Sequence, residues 1–247
     1  MQRYFIEEIK DETAIITGDN FHHIVRVMRM KLDDQIYLVT PDERTAIAGI
    51  SELGEDFVRL TVLSWKSEST ELPIDITIAS GLPKGDKLEL ITQKGTELGA
   101  KQFLSFPAKR SISKWDSKKA KKKVERLDKI ALEAAEQSHR SFVPKFRHLE
   151  SFQALIQSLP DYDYIVVAYE ESAKEGETAA LATVFNQMKP GESVLAIFGP
   201  EGGFSTEEID KLEANKALKV GLGPRILRTE TAPFYFLAAA SYAFELS

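Results

Sequence analysis

A chain of 247 residues, 43% hydrophobic and 28% charged, has the composition of a soluble globular protein with room for two ordinary domains. It has no cysteine, which excludes disulfides, thiolate catalysis and cysteine-based metal sites. Four histidines (His22, His23, His139, His148) without HExxH spacing give no reason to expect a metal.

No apolar run approaches the ~20 residues of a membrane span. Met1-Gln2-Arg3-Tyr4 lacks the basic-then-apolar order of a secretory signal, so a cytoplasmic protein is expected.

Residues 1 to about 70 read as short strands at 4–6, 13–16, 35–39, 45–50 and 57–63, separated by Gly, Asp, Asn and Pro. Only residues 22–30 look helical. Strands this short and close predict a small β-barrel. The polar run Ser67-Glu68-Ser69-Thr70-Glu71 ahead of Pro73 marks a boundary between domains 1–70 and 73–247.

From Ile74 strands and helices alternate. A strand at 74–79 precedes a helix at 86–98, which ends at Gly99, a residue suited to the turn that closes a helix. A strand follows at 103–106, then a long helix at 117–138 with Val124, Leu127, Ala131 and Ala134 on one face. Apolar strands lie at 164–168 and 194–198, a shorter one at 217–221, and an apolar helix at 233–246; further helices fill the gaps. This alternation predicts an α/β domain around a mainly parallel sheet covered on both faces. Ser205-Thr206-Glu207-Glu208 matches a capping box, which would hold the loop before it between a buried strand and a capped helix.

The net charge of −6 conceals an uneven distribution. Residues 109–126 carry Lys109, Arg110, Lys114, Lys118, Lys119, Lys121, Lys122, Lys123 and Arg126 against Asp116 and Glu125, a local +7 that leaves −13 elsewhere. Such a stripe is either a phosphate-binding footprint or a solvated helix face. Lysines in the first turn of a helix oppose its dipole at ~0.3–1 kcal/mol each, so stability alone does not explain them.

Two glycine-bearing loops sit where an α/β sheet opens a ligand crevice, each after an apolar run and before a helix. They are Gly199-Pro200-Glu201-Gly202-Gly203-Phe204-Ser205 and Leu222-Gly223-Pro224-Arg225-Ile226-Leu227-Arg228-Thr229-Glu230-Thr231-Ala232. Neither is GxGxxG or a P-loop, and Glu201 would repel a phosphate. The expected ligand is nucleoside-like, free of phosphates, and cationic or neutral.

Together these loops closely resemble the 16S ribosomal RNA uridine-N3 methyltransferase family, part of the SPOUT class of knotted, S-adenosylmethionine-dependent methyltransferases. The likeness extends to Arg3-Tyr4, to His22-His23 with Arg26 and Arg29, and to Lys84-Gly85-Asp86-Lys87-Leu88-Glu89. It continues through Lys94 with Glu97-Leu98-Gly99, Arg110-Ser111, and Glu133-Ala134-Ala135-Glu136-Gln137-Ser138 with Arg140 and Pro144. The chain departs from the family at Met28, where Leu is expected, at Leu32-Asp33-Asp34, where Gly-Asp is usual, and at Lys109, where Glu is usual.

The resemblance implies a PUA-like β-barrel RNA-binding domain over 1–70 and a SPOUT domain over 73–247. It also implies a C-terminal trefoil knot, which no periodicity would suggest, and a homodimer with the cofactor near the subunit interface. The implied reaction is methylation of N3 of one uridine, position 1498, in the 16S rRNA of the small ribosomal subunit, with S-adenosyl-L-methionine as cofactor. Cofactor contact carries over to Gly199, Pro200, Glu201, Gly202, Leu222, Gly223, Leu227, Arg228 and Thr229. RNA contact carries over to Arg3, Arg26, Arg29, Arg110, Lys118, Lys119, Lys122 and Arg126.

Within that site several roles stay open. Glu201 either faces a positive charge of the cofactor or makes a hydrogen bond inside its loop. Uridine N3 must lose its proton, by a general base or by a cation beside O2 or O4. Arg228 suits the cation, or else positions the cofactor, and Glu230 is the base candidate. His22-His23 either stack on RNA or are structural. A nucleotide-dependent oxidoreductase is disfavoured, because Gly81-Leu82-Pro83-Lys84-Gly85 is no fingerprint loop. A SPOUT ribose 2′-O-methyltransferase and a non-catalytic ribosome-assembly factor remain the alternatives.

Overall fold

The structure, a computed structural model, describes residues 1–169 and 179–246. The chain divides into two units, Met1–Glu71 with Ala135–Phe142, and Leu72–Ala134 with Val143–Ser247.

The first unit holds β1 (Arg3–Phe5), β2 (Thr13–Thr17), β3 (Gln35–Val39), β4 (Thr45–Leu53) and β5 (Phe57–Trp65), in the sheet order β1-β3-β4-β5-β2. β1 runs parallel to β3 and the other pairs are antiparallel. Irregularities between Ile47/Ala48 and Ile50/Glu52 bend the β4–β5 ribbon. Strand alternation turns Ala14 and Ile16, Ile36 and Leu38, Ala46, Ala48 and Ile50, and Val58 and Leu60 into one core. α1 (Gly18–His22) continues into a π turn (His23–Val27) and adds Phe21 and Ile24 to it. The helix begins before the expected residue 22, since Phe21 as well as Ile24 is drawn inward. Asp33 has φ of 68°, a left-handed backbone that glycine adopts more readily than other residues.

A single break near residue 70 omits part of this unit, because Ala135–Phe142 belongs to it. Arg140 is buried and its Nε donates to Glu71 Oε2 at 3.0 Å. Glu71 also accepts the Ser141 N–H at 2.8 Å. Arg3 corrects an expectation: only 4% exposed, it donates from Nη1 to the Arg140 carbonyl at 2.7 Å and lies over the Tyr37 ring. It braces the unit and offers RNA no surface. Likewise His23 is tied to the Tyr4 hydroxyl at 2.9 Å, a structural role. Burial, reinforced by Glu136, pushes the Tyr4 phenol up to about 12.

The second unit is built on β6 (Asp75–Gly81), β7 (Gln102–Phe106), β8 (Lys145–His148), β9 (Tyr164–Ala168), β10 (Ser193–Phe198) and β11 (Leu218–Val220). Every pairing is parallel, in the order β11-β9-β10-β6-β7-β8. Alternate residues enter different cores, as a sheet covered on both faces requires. Ile76, Ile78, Phe103, Val194 and Ala196 meet α2 (Lys87–Glu97), α3 (Ser117–Gln137), α5 (Ala180–Gln187) and α7 (Thr231–Ser241). Ala79, Leu104, Leu195 and Ile197 meet α4 (Phe152–Ser158) and α6 (Thr206–Ala214).

α7 runs on into a π turn (Tyr242–Leu246). No helix among the described residues is long and apolar enough to cross a membrane.

Candidate functional site

β10 and β6 are neighbours at the centre of the sheet, and the loops that leave their C-terminal ends pack tightly. A Cβ on Gly81 would lie 2.6 Å from Pro200 Cδ and 3.0 Å from its nitrogen. Only glycine lets the end of β6 support the first loop this closely.

The far end of that loop is pinned by the expected capping box. Ser205 Oγ accepts the Glu208 N–H at 3.4 Å and Glu208 Oε2 accepts the Ser205 N–H at 2.9 Å. The other Glu208 oxygen accepts the Lys109 N–H at 2.7 Å, so this buried carboxylate also fastens the loop after β7. From that loop Arg110 covers Gly202 and donates Nη1 to its carbonyl at 3.0 Å.

The second loop follows β11 and enters α7, whose first N–H groups (Thr231, Ala232) bond the Arg228 carbonyl. Between the loops lies a cleft of about 550 Å³. The first loop contributes Gly199, Pro200, Glu201 and Gly202 to its wall; the second contributes Leu222, Gly223, Leu227 and Thr229. Arg110, Arg225, Ile226 and Tyr169 also line it, and sequence reasoning gave none of them to the cofactor. Open glycines and apolar side chains suit a flat nucleoside, and one carboxylate with two guanidiniums suits a ligand that carries both signs of charge.

Glu201 is held from the β6–α2 side. Lys87 Nζ lies 2.9 Å from Glu201 Oε1 and 3.2 Å from Glu230 Oε2. The Lys84 N–H donates to Glu201 Oε1 at 3.1 Å. Burial pushes the Glu201 carboxyl up, but hydrogen bonds from Lys87, its own backbone and Lys84 outweigh this and hold it below the usual carboxylate range. Glu230 is held low in the same sense, burial being outweighed by its own backbone amide and Lys87.

A family model for the RNA methyltransferase domain matches residues 70–241, and one for the RNA methyltransferase PUA domain matches residues 16–63. The chain belongs to the RNA methyltransferase family. It is 52% identical to ribosomal RNA small subunit methyltransferase E of Bacillus subtilis (strain 168), over 100% of this chain and 98% of the relative. Its structure is similar to that of a ribosomal RNA small subunit methyltransferase E from Neisseria gonorrhoeae bound to S-adenosyl methionine. The TM-score is 0.82 and the identity 25%, with 99% and 98% of the two chains covered. A putative methyltransferase from Legionella pneumophila, solved with the bound cofactor SAM, gives a TM-score of 0.81 at 26% identity, covering 98% and 97%.

For an RNA methyltransferase, the placement of the remaining expected residues is informative. Arg228 is exposed and does not line the cleft, whereas its near neighbour Arg225 does. Glu230 also lies off the wall, turned to Lys87 with its side chain 16% exposed. Arg26 and Arg29 are exposed, Arg29 with φ of 54°.

The basic stripe is partly consumed internally. Lys123 and Arg126 pair with Glu89 at 3.3 and 2.6 Å, and Lys109 with Glu207 at 2.8 Å. Asp116 caps α3 by accepting the Lys119 N–H at 2.8 Å, which offsets the crowd of lysines at that terminus. Lys118, Lys119 and Lys122 are exposed and line, with Lys123, Arg126 and Asp116, one shallow depression of about 430 Å³. Reversing Lys118 and Lys122 to Glu is expected to weaken RNA binding uniformly across sequences and to lower the salt slope by about 1 per contact. Filter binding at several salt concentrations measures both; an unchanged slope would return the stripe to a solvated helix face.

Proposed function

We propose that this chain transfers a methyl group from S-adenosyl-L-methionine to N3 of a uridine, that at position 1498, in the 16S rRNA of the small ribosomal subunit. The observation that carries the reading is the cleft between two glycine loops, with a fixed anion, Glu201, and two guanidiniums, Arg110 and Arg225, on its wall. Bound S-adenosyl-L-methionine supplies an electrophilic methyl group on a positively charged sulfur.

Gly199, Gly202 and Gly223 let the backbone approach the cofactor, and Leu222 and Leu227 give its base an apolar seat. Pro200 and Thr229 complete the wall. Glu201 faces its positive charge.

Uridine N3 becomes nucleophilic only on losing its proton, and a guanidinium beside a ring carbonyl stabilises the resulting anion. Arg110 suits that role: it lines the cleft, and its bond to Gly202 fixes the guanidinium at the first loop. Glu230 is a weak base, because its own backbone amide and Lys87 lower its affinity for a proton, so the N3 proton leaves to solvent water. Because N3 lies in the Watson–Crick pair, the target base must be unpaired or flipped out. RNA approach is supported by Arg26, Arg29 and the exposed α3 lysines.

The resemblance further supports a threaded C-terminus and a homodimer. α7 and its extension expose Tyr235, Ala238, Tyr242 and Leu246 at helical spacing, an apolar stripe suited to a second copy. An rRNA substrate fits a cytoplasmic protein.

The test is transfer from labelled S-adenosyl-L-methionine to unmethylated small subunits and to naked 16S rRNA, followed by nucleoside chromatography. Label in 3-methyluridine is expected; label in a 2′-O-methyl nucleoside would overturn the base assignment. Arg110→Ala is expected to lower the single-turnover rate about 10²-fold at saturating cofactor. An equal loss in Arg228→Ala with none in Arg110→Ala would move the role to Arg228. A loss in Glu230→Gln that deepens toward low pH would mark Glu230 as the base.

A further inference from the structure

Lys87 has no part in the chemistry described above, yet it is the point where three segments of the second unit converge. It stands at the first position of α2, and its side chain is 30% exposed. One carboxylate reaches it from each glycine loop, Glu201 from the first and Glu230 from the N-terminus of α7. Glu201 and Glu230 come from sequence positions far apart, and nothing else described joins their side chains.

We propose that Lys87 is the positioning residue of the cleft: its ammonium locks the first loop to the second through Glu201 and Glu230, and keeps Glu201 as an anion facing the cofactor's positive charge. This rests on the cofactor reading given above. Two carboxylates that share one nitrogen repel each other once that cation is gone. The loops then separate, or one carboxyl takes up a proton. Either response weakens a site built for a cation.

The groups around Glu201 bear on the sign. Lys87 and the Lys84 amide approach from the β6–α2 side. Glu230 approaches from the second loop with Arg228 in its field, and Arg110 holds the neighbouring Gly202 carbonyl. Lys87 is the cation paired directly with Glu201. With it in place Glu201 stays charged well into acid; without it the Glu201 titration moves up, and affinity for a cation falls as pH falls.

The experiment uses the full chain as wild type, Lys87→Arg, Lys87→Met and Lys87→Gln, titrated calorimetrically with S-adenosyl-L-methionine at about pH 5.5, 6.5 and 7.5, a window above ordinary carboxylates. Wild type and Lys87→Arg are expected to hold a level affinity. The neutral variants are expected to bind about tenfold more weakly at the top of the window and more weakly still at its acid end, the direction that a raised Glu201 titration requires. Carboxyl carbon NMR of Glu201, assigned through Glu201→Gln, reads the same shift without cofactor, so it stands even if the cofactor reading fails. A Glu201 titration that does not rise in Lys87→Gln, or neutral variants that match wild type at every pH, would overturn the proposal. Wild type that binds no cofactor while Glu201 still titrates upward in Lys87→Gln would leave the lock standing and sink the cofactor reading.

Discussion

Glu71→Ala is expected to lower the stability of the first unit by about 3–5 kcal/mol, the cost of stranding a buried charge. The Arg140 side chain is 3% exposed and that of Glu71 11%. The guanidinium bonds Glu71 through Nε and Nη2, and the Ser141 amide and hydroxyl share its Oε1. Deleting the carboxylate leaves a guanidinium out of water and an amide without its acceptor. Glu71→Gln keeps an acceptor for Ser141 and should lose less. The double variant Glu71→Ala/Arg140→Ala should lose less than the two single changes together, because neither charge is then left alone. The two tryptophans make the measurement local, since Trp65 lies in the first unit and Trp115 in the second. Urea unfolding of single-tryptophan variants should move the Trp65 transition. A loss below about 1 kcal/mol would mean that water reaches the pair.

The second large effect belongs to Gly81→Val. The first added carbon meets the ring of Pro200 at 2.6 Å and its backbone nitrogen at 3.0 Å, with Ala108 Cβ 3.4 Å away. Pro200 cannot swing aside as a long flexible side chain would, so the first loop must move as a whole. A displacement of about 1 Å at a catalytic loop costs about 100-fold in turnover. Overpacking at the strand end costs about 1–3 kcal/mol of stability, too little to unfold a typical domain. The expected result is a folded protein with a cleft that no longer fits: turnover down about 100-fold, cofactor affinity weakened, and Gly81→Ala in between. Wild-type turnover in Gly81→Val would show that the loop is free to shift.

Much of the second unit was legible because its strands are apolar runs buried on both faces. Residues 164–168 and 194–198 have no other plausible use, and their observed bounds differ by at most one residue. β8 escaped notice for the opposite reason. Lys145-Phe146-Arg147-His148 lies at the sheet edge and buries only Phe146, so it carries no run and little alternation. The capping box was legible since both partners sit within four residues. The Lys87 lock and the Glu71–Arg140 pair were not, because each joins residues 69 to 143 positions apart, or closes two separate loops at once, and local pattern holds no trace of that. Arg3 was misread as a surface cation for the same reason: its burial depends on Arg140. The α3 stripe was legible as charge, yet which lysines stay free depends on Glu89, a residue of another helix.

The membership of Ala135–Phe142 in the first unit bears on how the protein comes off the ribosome. Synthesis delivers residues 1–71 first, a stretch that contains all five strands of that unit. Yet the guanidinium that neutralises Glu71 and the carbonyl that receives Arg3 both arrive with Arg140, about seventy residues later. In the interval Glu71 lacks the guanidinium it pairs with, and Arg3 has Thr45 and the Tyr37 ring but not the Arg140 carbonyl. The nascent N-terminal sheet, whose apolar core runs from Tyr4 to Val62, therefore lacks these polar contacts while β6, α2, β7 and most of α3 are made. Cutting the gene at the linker would produce a fragment permanently without them, and supplying residues 135–142 as a peptide in trans is expected to restore them.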